Sequence, residues 1–594
     1  MINKQHPRIL LLQGEENQIK QTITNNPTWL KLHEAILNEC DKILTLPQLE
    51  RQMNGMTLLD KSREALRRIF YLSYAWRMTG HDKYFHRCEK ELLAVSNFKD
   101  WNPSHFLDVA EMTMAVAIGY DWLFPQLSVD SKKIISDAIV SKGLNPEIKS
   151  DDFCWQKAKS NWNQVCNTGI TYGALAVAEE HPELAKKIID RAIQTITIPM
   201  DEYKPDGAYP EGYTYWGYGT SFNVMFICAL EKVFNTDFGL SNTPGFLQTA
   251  DFCQHMVGNI GLNFNWADGA TKTTLNPTIF WFAKRNNDLS PLWVEKAYLE
   301  RDNYSEFTSD RLLPALMIWC RDLPINQITE PDVKFWCGRG ANPVCMMRTS
   351  WSNRDAIYLG FKAGSAAVSH AHMDAGSFVM ESDGVRWASD PDTQDYYSLI
   401  SKGVDLWNFV QDSQRWSVFR LNNFSHNTLT IDSKLQVVKG VAHIDKSSAN
   451  PDFMYAVSDL SAVYENQLAN VKRGVAIINQ KVVVIQDELF ANSNPATVRW
   501  SMFTTATPKL AKNSITLAKD GKTLELKVIS PAEFTIKTWS TQPTNDYDAP
   551  NPGTILVGFE FNLEPNQQQT IQVMLIPGSS SDNEIQLKKT LASW

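Results

Sequence analysis

The sequence predicts a multidomain α+β protein: helical hairpins up to about residue 335, then an antiparallel β-sandwich over residues 336–594, in one module or two. Three observations predict it. Apolar residues recur at helical spacing through the first half, and they alternate with a period of two through the second. Helices and strands do not interleave, which excludes a Rossmann or barrel core. With 594 residues, 43% apolar and 21% charged, the chain has an ordinary globular composition and the length for large cores. No apolar run reaches the roughly 18–20 residues of a membrane-spanning helix, so membrane insertion is not expected.

In the first half, Ala65, Ile69, Leu72 and Trp76 form a helical stripe, with Ser62 expected as N-cap and Gly80 as the stop. A second helix is expected over 106–124, ended by Pro125, and a third after Ser131. Residues 170–180 and 183–196 read as two helices around the His181-Pro182 break. Such hairpins recur to about Cys320 and must bury their apolar faces on one another, as a ring or stack does. In the second half, strands are expected over 356–361, 376–381 and 385–388, the last two joined at Asp383-Gly384. More follow at 428–431, 474–478, 482–486, 498–504, 515–528 with a turn at 519–522, 554–561 and 570–576.

The net charge of −9 and the lack of any long basic block exclude nucleic acid as partner. An anionic substrate is still admitted, because a cleft focuses local potential against the global sign. The nine cysteines are odd in number, lack Cys-x-x-Cys and stop at Cys345, so they read mostly as buried thiols. The Met1-Ile2-Asn3-Lys4 start has no signal-peptide core, consistent with a cytoplasmic protein or one whose leader is removed.

Three clusters carry chemistry. Asn161, Trp162, Asn163, Gln164 and Asn167 place four carboxamides within seven residues, expected just before the helix at Ile170, where backbone N–H groups favour an anion. Plain N-capping explains any one of them. Residues 205–218 hold Tyr209, Tyr213, Tyr215, Trp216 and Tyr218 among Gly and Pro, a poor helix and a good wall for stacking sugars. A phenol there also serves as general acid or base. The third cluster is His370-Ala371-His372, then Asp390 and His426. On a strand, His-x-His points both rings to one face, and with Asp390 and His426 it offers N, N, O donors suited to zinc.

In this order, the clusters resemble the heparinase II/III-like polysaccharide lyases. The resemblance is most specific at His370-Ala-His-Met-Asp-Ala-Gly-Ser-Phe and at Ser425-His-Asn-Thr-Leu. It implies an N-terminal (α/α) toroid and a C-terminal β-sandwich. It also implies His370 and Tyr215 as catalytic residues, Asn161 as binder of the substrate carboxylate, and His372, Asp390 and His426 as ligands of a structural zinc. A periplasmic or secreted location is implied as well. Where many members carry Asn-His, this chain has Asn161-Trp162, so Asn163 and Gln164 compete as carboxylate binders, and Tyr213 and Tyr218 compete with Tyr215.

The implied reaction is β-elimination on a uronic-acid polysaccharide, glycosaminoglycans first, giving 4,5-unsaturated uronate ends. Asn161, with Asn163 or Gln164, neutralises the carboxylate. Tyr215 protonates the departing O4, and either His370 or ionised Tyr215 removes the C5 proton. Trp162, Glu211 and Tyr213 are expected to line the substrate. Arg415 and Arg420 are read as planar forks for sulfate or carboxylate, with surface ion pairing as the plain alternative. Rival readings are a toroid glycoside hydrolase using Asp206 and Glu211, a metal-dependent hydrolase on His372, Asp390 and His426, and a non-catalytic glycan-binding protein. The particular polymer, endo or exo action and oligomeric state are not written in the sequence.

Overall fold

A computed structural model describes residues 5–148, 154–578 and 589–594; the Met1–Lys4 start lies outside them. The chain divides into two compact units. The first comprises Met1–Glu202, Tyr215–Leu247 and Thr274–Thr329; the second comprises Tyr203–Thr214, Gln248–Thr273 and Glu330–Trp594. Two short segments of the first 335 residues therefore belong with the strands.

The first unit is an (α/α) array of hairpins. Helices Pro27–Thr45 and Leu59–Thr79, Asp82–Ser96 and Phe106–Leu123, and Asn161–Ala176 and Pro182–Thr195 pair as neighbours. Phe106–Leu123 is buried on every face, including Asp108, Glu111 and Asp121. Apolar residues all round a helix mark one enclosed by others, and it packs between Leu59–Thr79 and Asn161–Ala176. At the latter crossing a Cβ on Gly169 would lie 2.1 Å from the Ala110 carbonyl oxygen, so only glycine permits that approach. Gly80 ends its helix at φ 71°, as expected, its N–H bonded to the Trp76 carbonyl. Ser62 is inside that helix rather than its cap.

Two expected boundaries are corrected. The carboxamide cluster does not precede a helix at Ile170; it forms the first turns of the helix that starts at Asn161. The aromatic segment likewise enters a helix at Gly212–Phe234, despite its β-favouring tyrosines, because burial of that helix outweighs propensity.

The second unit contains three antiparallel sheets. A five-stranded meander runs in chain order from Phe335–Gly338 through Val344–Arg348, Tyr358–Lys362 and Phe378–Ser382 to Val385–Ala388. Asp383 and Gly384 have φ 53° and 75°, the positive pair of a tight hairpin turn. An eight-stranded sheet centres on Asn470–Ile478, Val482–Phe490 and Gln568–Pro577, and a four-stranded one on Ala496–Thr504 and Ile555–Leu563. One core joins all three through Phe361, Trp387, Ile477, Ile485, Trp500 and Phe559, as a sandwich requires. Strands Phe335–Gly338, Val344–Arg348, His443–Asn450 and Phe453–Asp459 were not expected from the sequence. Cys337 and Cys345 face each other across the first hairpin and form a disulfide; the other seven cysteines are free thiols, and Cys154 is exposed.

Candidate active site

In the first unit, Arg63, Glu111 and Tyr218 bring three helices together. Glu111, fully buried, accepts from Arg63 at 3.0 Å, Arg311 at 2.5 Å and the Tyr218 hydroxyl at 2.7 Å. Burial alone would raise its pKa; the two guanidiniums outweigh that and hold it below the ordinary range. Trp162 meets His105 edge-to-face, ring centroids 5.0 Å apart. Asn161 and Tyr215 each occupy the opening of their helix.

The competing residues separate here. Asn163 is fully buried, and its amide nitrogen donates to the carbonyls of Gln156 and Thr195 at 2.9 and 3.1 Å. Its oxygen accepts from Asn167 at 2.7 Å. Gln164 is fully buried and donates to Asn223. Asn163, two positions along the helix, turns away from Asn161 and fastens the unit's interior, whereas Gln164, three along, shares the face of Asn161, which is buried as well. Trp216 is fully buried near Phe282. Tyr218 is committed to Glu111, and burial with that neighbouring charge pushes its pKa far up.

In the second unit, His370 and His372 lie in the loop between Tyr358–Lys362 and Phe378–Ser382, not on a strand. His370 has φ 60°, the left-handed region, which a non-glycine residue enters at a cost and which clusters at functional sites. A residue not singled out in the sequence joins them. Asp268 Oδ2 is 3.1 Å from His370 Nδ1, and its Oδ1 is 2.9 Å from His372 Nε2. The Tyr396 hydroxyl donates to Asp268 Oδ2 at 2.9 Å. Burial would raise the Asp268 pKa, but hydrogen bonds from both imidazoles and the nearby Arg415 guanidinium hold the carboxyl well below its ordinary range. The only local signal was the turn-forming Asn265-Trp266-Ala267-Asp268-Gly269, and partners 102 and 104 residues away are invisible to any local pattern. Glu211 Oε1 is 3.6 Å from His370 Nε2, and Glu211 accepts from the Tyr209 hydroxyl.

Arg415, expected as a fork for sulfate or carboxylate or else as a surface ion pair, is placed otherwise. It is fully buried and donates to the carbonyls of Leu406 and Ala371 at 3.1 and 2.9 Å, because those loop carbonyls have no sheet partner. Arg420 likewise donates to the carbonyls of Asp392, Thr393 and Pro550. Asp206 accepts from the backbone and side chain of Arg339, which leaves it poorly placed as the acid of a hydrolase.

Among the described residues, no group of three His, Cys, Asp or Glu side chains is set as a metal centre. The donor chemistry nevertheless fits zinc. His372 Nδ1, Asp390 Oδ1, His426 Nε2 and Asp374 Oδ2 are buried without a hydrogen-bond partner. The His372 and His426 rings are 5.4 Å apart, and the other nitrogen of each is held by a carboxylate, Asp268 for His372 and Asp390 for His426, at 2.9 Å. A carboxylate behind the imidazole, as Asp268 is behind His372, is the usual outer support of a metal ligand.

Comparison with known proteins agrees with this architecture. Residues 347–587 match the family described as heparinase II/III-like, C-terminal. A crystal structure of heparinase III superimposes with a TM-score of 0.63 at 14% identity, covering 90% of this chain and 80% of that one. A mutant heparan sulfate lyase HepC from Pedobacter heparinus gives 0.58 at 13% identity, covering 91% and 82%. The Streptomyces coelicolor A3 chondroitin AC lyase in complex with chondroitin sulphate gives 0.50 at 12%, covering 96% and 80%. No curated protein matches the chain. Residues 347–587 thus form a heparinase II/III-like C-terminal domain, and the chain has the fold of the heparinase III and heparan sulfate lyase structures it superimposes on.

Proposed function

We propose that this chain is a lyase that cleaves uronic-acid-containing polysaccharide, of glycosaminoglycan type, by β-elimination. The observation that carries the reading is His370, inside the heparinase II/III-like domain, paired with Asp268 of the same compact unit. A proton at C5 of a uronate leaves only when the adjacent carboxylate is neutralised. Asn161, at the N-terminus of its helix, binds that carboxylate, with Trp162, Tyr213 and Glu211 as further substrate contacts. Asp268 is ionised and accepts from His370 Nδ1–H, which leaves the lone pair on Nε2 to take the C5 proton. The C–H electron pair becomes the C4=C5 double bond as the C4–O4 bond breaks, and Tyr215 gives its phenolic proton to O4. No water is consumed. For the C5 epimer, whose proton points to the phenol, ionised Tyr215 is the base.

His372, Asp390 and His426 would hold zinc, with their unsatisfied atoms as support. Bound there, the ion supplies a crosslink between three loop segments and no proton transfer. The Cys337–Cys345 disulfide supports a periplasmic or secreted location.

The test is incubation with heparan sulfate, chondroitin sulfate, hyaluronan and alginate while following the ultraviolet absorbance of the unsaturated product. Absorbance that grows with the native chain and not with Tyr215→Phe or His370→Ala supports the reading. Cleavage without absorbance overturns it in favour of hydrolysis.

A further inference from the structure

We propose that Trp407 is the stacking floor for a pyranose ring next to the uronate that His370 deprotonates. The inference rests on the lyase reading above and adds a sugar-binding residue to it.

Trp407 is 47% exposed, although an indole carries a large apolar surface that folding ordinarily removes from water. It is nevertheless a fixed ring. It lies edge-to-face with the His370 imidazole, centroids 5.6 Å apart at 88°, and with the Tyr396 ring at 4.9 Å and 75°. Tyr396 lies nearly parallel to His370, at 19°, and its hydroxyl is anchored on Asp268. Two ordered rings therefore hold the indole, and its remaining surface faces solvent beside the base.

Buried Arg415 sets that spacing from beneath. One guanidinium nitrogen takes the carbonyl of Leu406, the residue before Trp407; another takes that of Ala371, the residue after His370. The guanidinium also lies over Phe409, 4.5 Å from the ring centroid. The two loops are tied to each other through a side chain that meets no solvent, so the indole is ordered before any ligand arrives. A preordered flat ring loses little entropy on binding. Its chemistry suits the C–H face of a pyranose, which is apolar and flat, and its place beside His370 selects a sugar linked to the reacting one over a detached apolar partner.

The test compares Trp407→Ala with Trp407→Phe on hexasaccharides of heparan sulfate, chondroitin sulfate and alginate. Trp407→Ala is expected to raise KM about tenfold while kcat falls less than about threefold; Trp407→Phe, which keeps an aromatic face, stays within about threefold of the native chain in both. An unchanged KM in Trp407→Ala overturns the proposal. Thermal unfolding of each variant accompanies the kinetics, and Trp407→Leu, which keeps apolar bulk without a flat face, replaces the alanine variant if that one does not fold. Should the native chain release no unsaturated product, the lyase reading fails separately, and calorimetric titration with the same hexasaccharides decides the matter. Binding weakened about tenfold in Trp407→Ala sustains the stacking floor. Equal binding by both, or none by the native chain, overturns it.

Discussion

His370 and His372 share one carboxylate: Asp268 Oδ2 stands 3.1 Å from Nδ1 of the first and Oδ1 2.9 Å from Nε2 of the second. An ionised carboxylate accepts on both oxygens, whereas an amide presents an N–H to one of the two imidazoles. Asp268→Asn is therefore expected to lower the elimination rate by about two to four orders of magnitude, measured as initial rates of ultraviolet absorbance. A rate within tenfold of the native chain would remove Asp268 from the proposed machinery.

Two tyrosines of one helix should part company. Tyr215→Phe deletes the proposed acid and should leave almost no elimination. Tyr218→Phe deletes a hydrogen bond to buried Glu111, costing about 1.5–3 kcal/mol of stability while the rate stays within a few-fold. Equal losses of activity in the two variants would reassign the acid.

Stability should fall with rising pH through one buried carboxyl. Glu295 is pushed up from 4.5 to about 8 by burial, against a single backbone hydrogen bond from Asn276. Its folded pKa exceeds its unfolded one, so the folded state binds the extra proton. The associated stability is complete below pH 4.5 and is lost as pH rises through 8. Glu295→Gln should flatten that decline, by an amount on the order of a few kcal/mol, in denaturant titrations at pH 5 and pH 9.

Denatured without reductant, the chain should react with thiol reagent at seven cysteines, and at nine after reduction. Nine before reduction would show that Cys337 and Cys345 are unpaired and would remove the support for an oxidising location.

Elemental analysis of the purified protein should find about one zinc per chain, and His426→Ala should lose it together with several degrees of thermal midpoint. A metal-free native chain with an unchanged midpoint on chelation would dismiss the zinc site.

The periods of the chain carried most of the architecture. Helical spacing located Phe106–Leu123 to within a residue, and the Asp383-Gly384 turn located the Phe378–Ser382 and Val385–Ala388 hairpin. The starts at Asn161 and Gly212 were not legible, because Asn and Tyr have weak helix preference and their burial supplies what propensity lacks. Within the candidate site, His370, His372 and His426 stand out in the sequence as a concentration of imidazoles, with Asp390 between them, while Asp268 and Tyr396 carry no such signal. By itself the sequence determined the two kinds of secondary structure, their order and the residue types on which the proposed chemistry rests. Tertiary structure alone decided which carboxylate holds His370, that Asn163 is spent on the interior, and that Arg415 is a buried brace. The reason is that periodicity belongs to neighbouring residues, whereas a hydrogen-bond partner is chosen by whichever distant segment folding brings within about 3 Å.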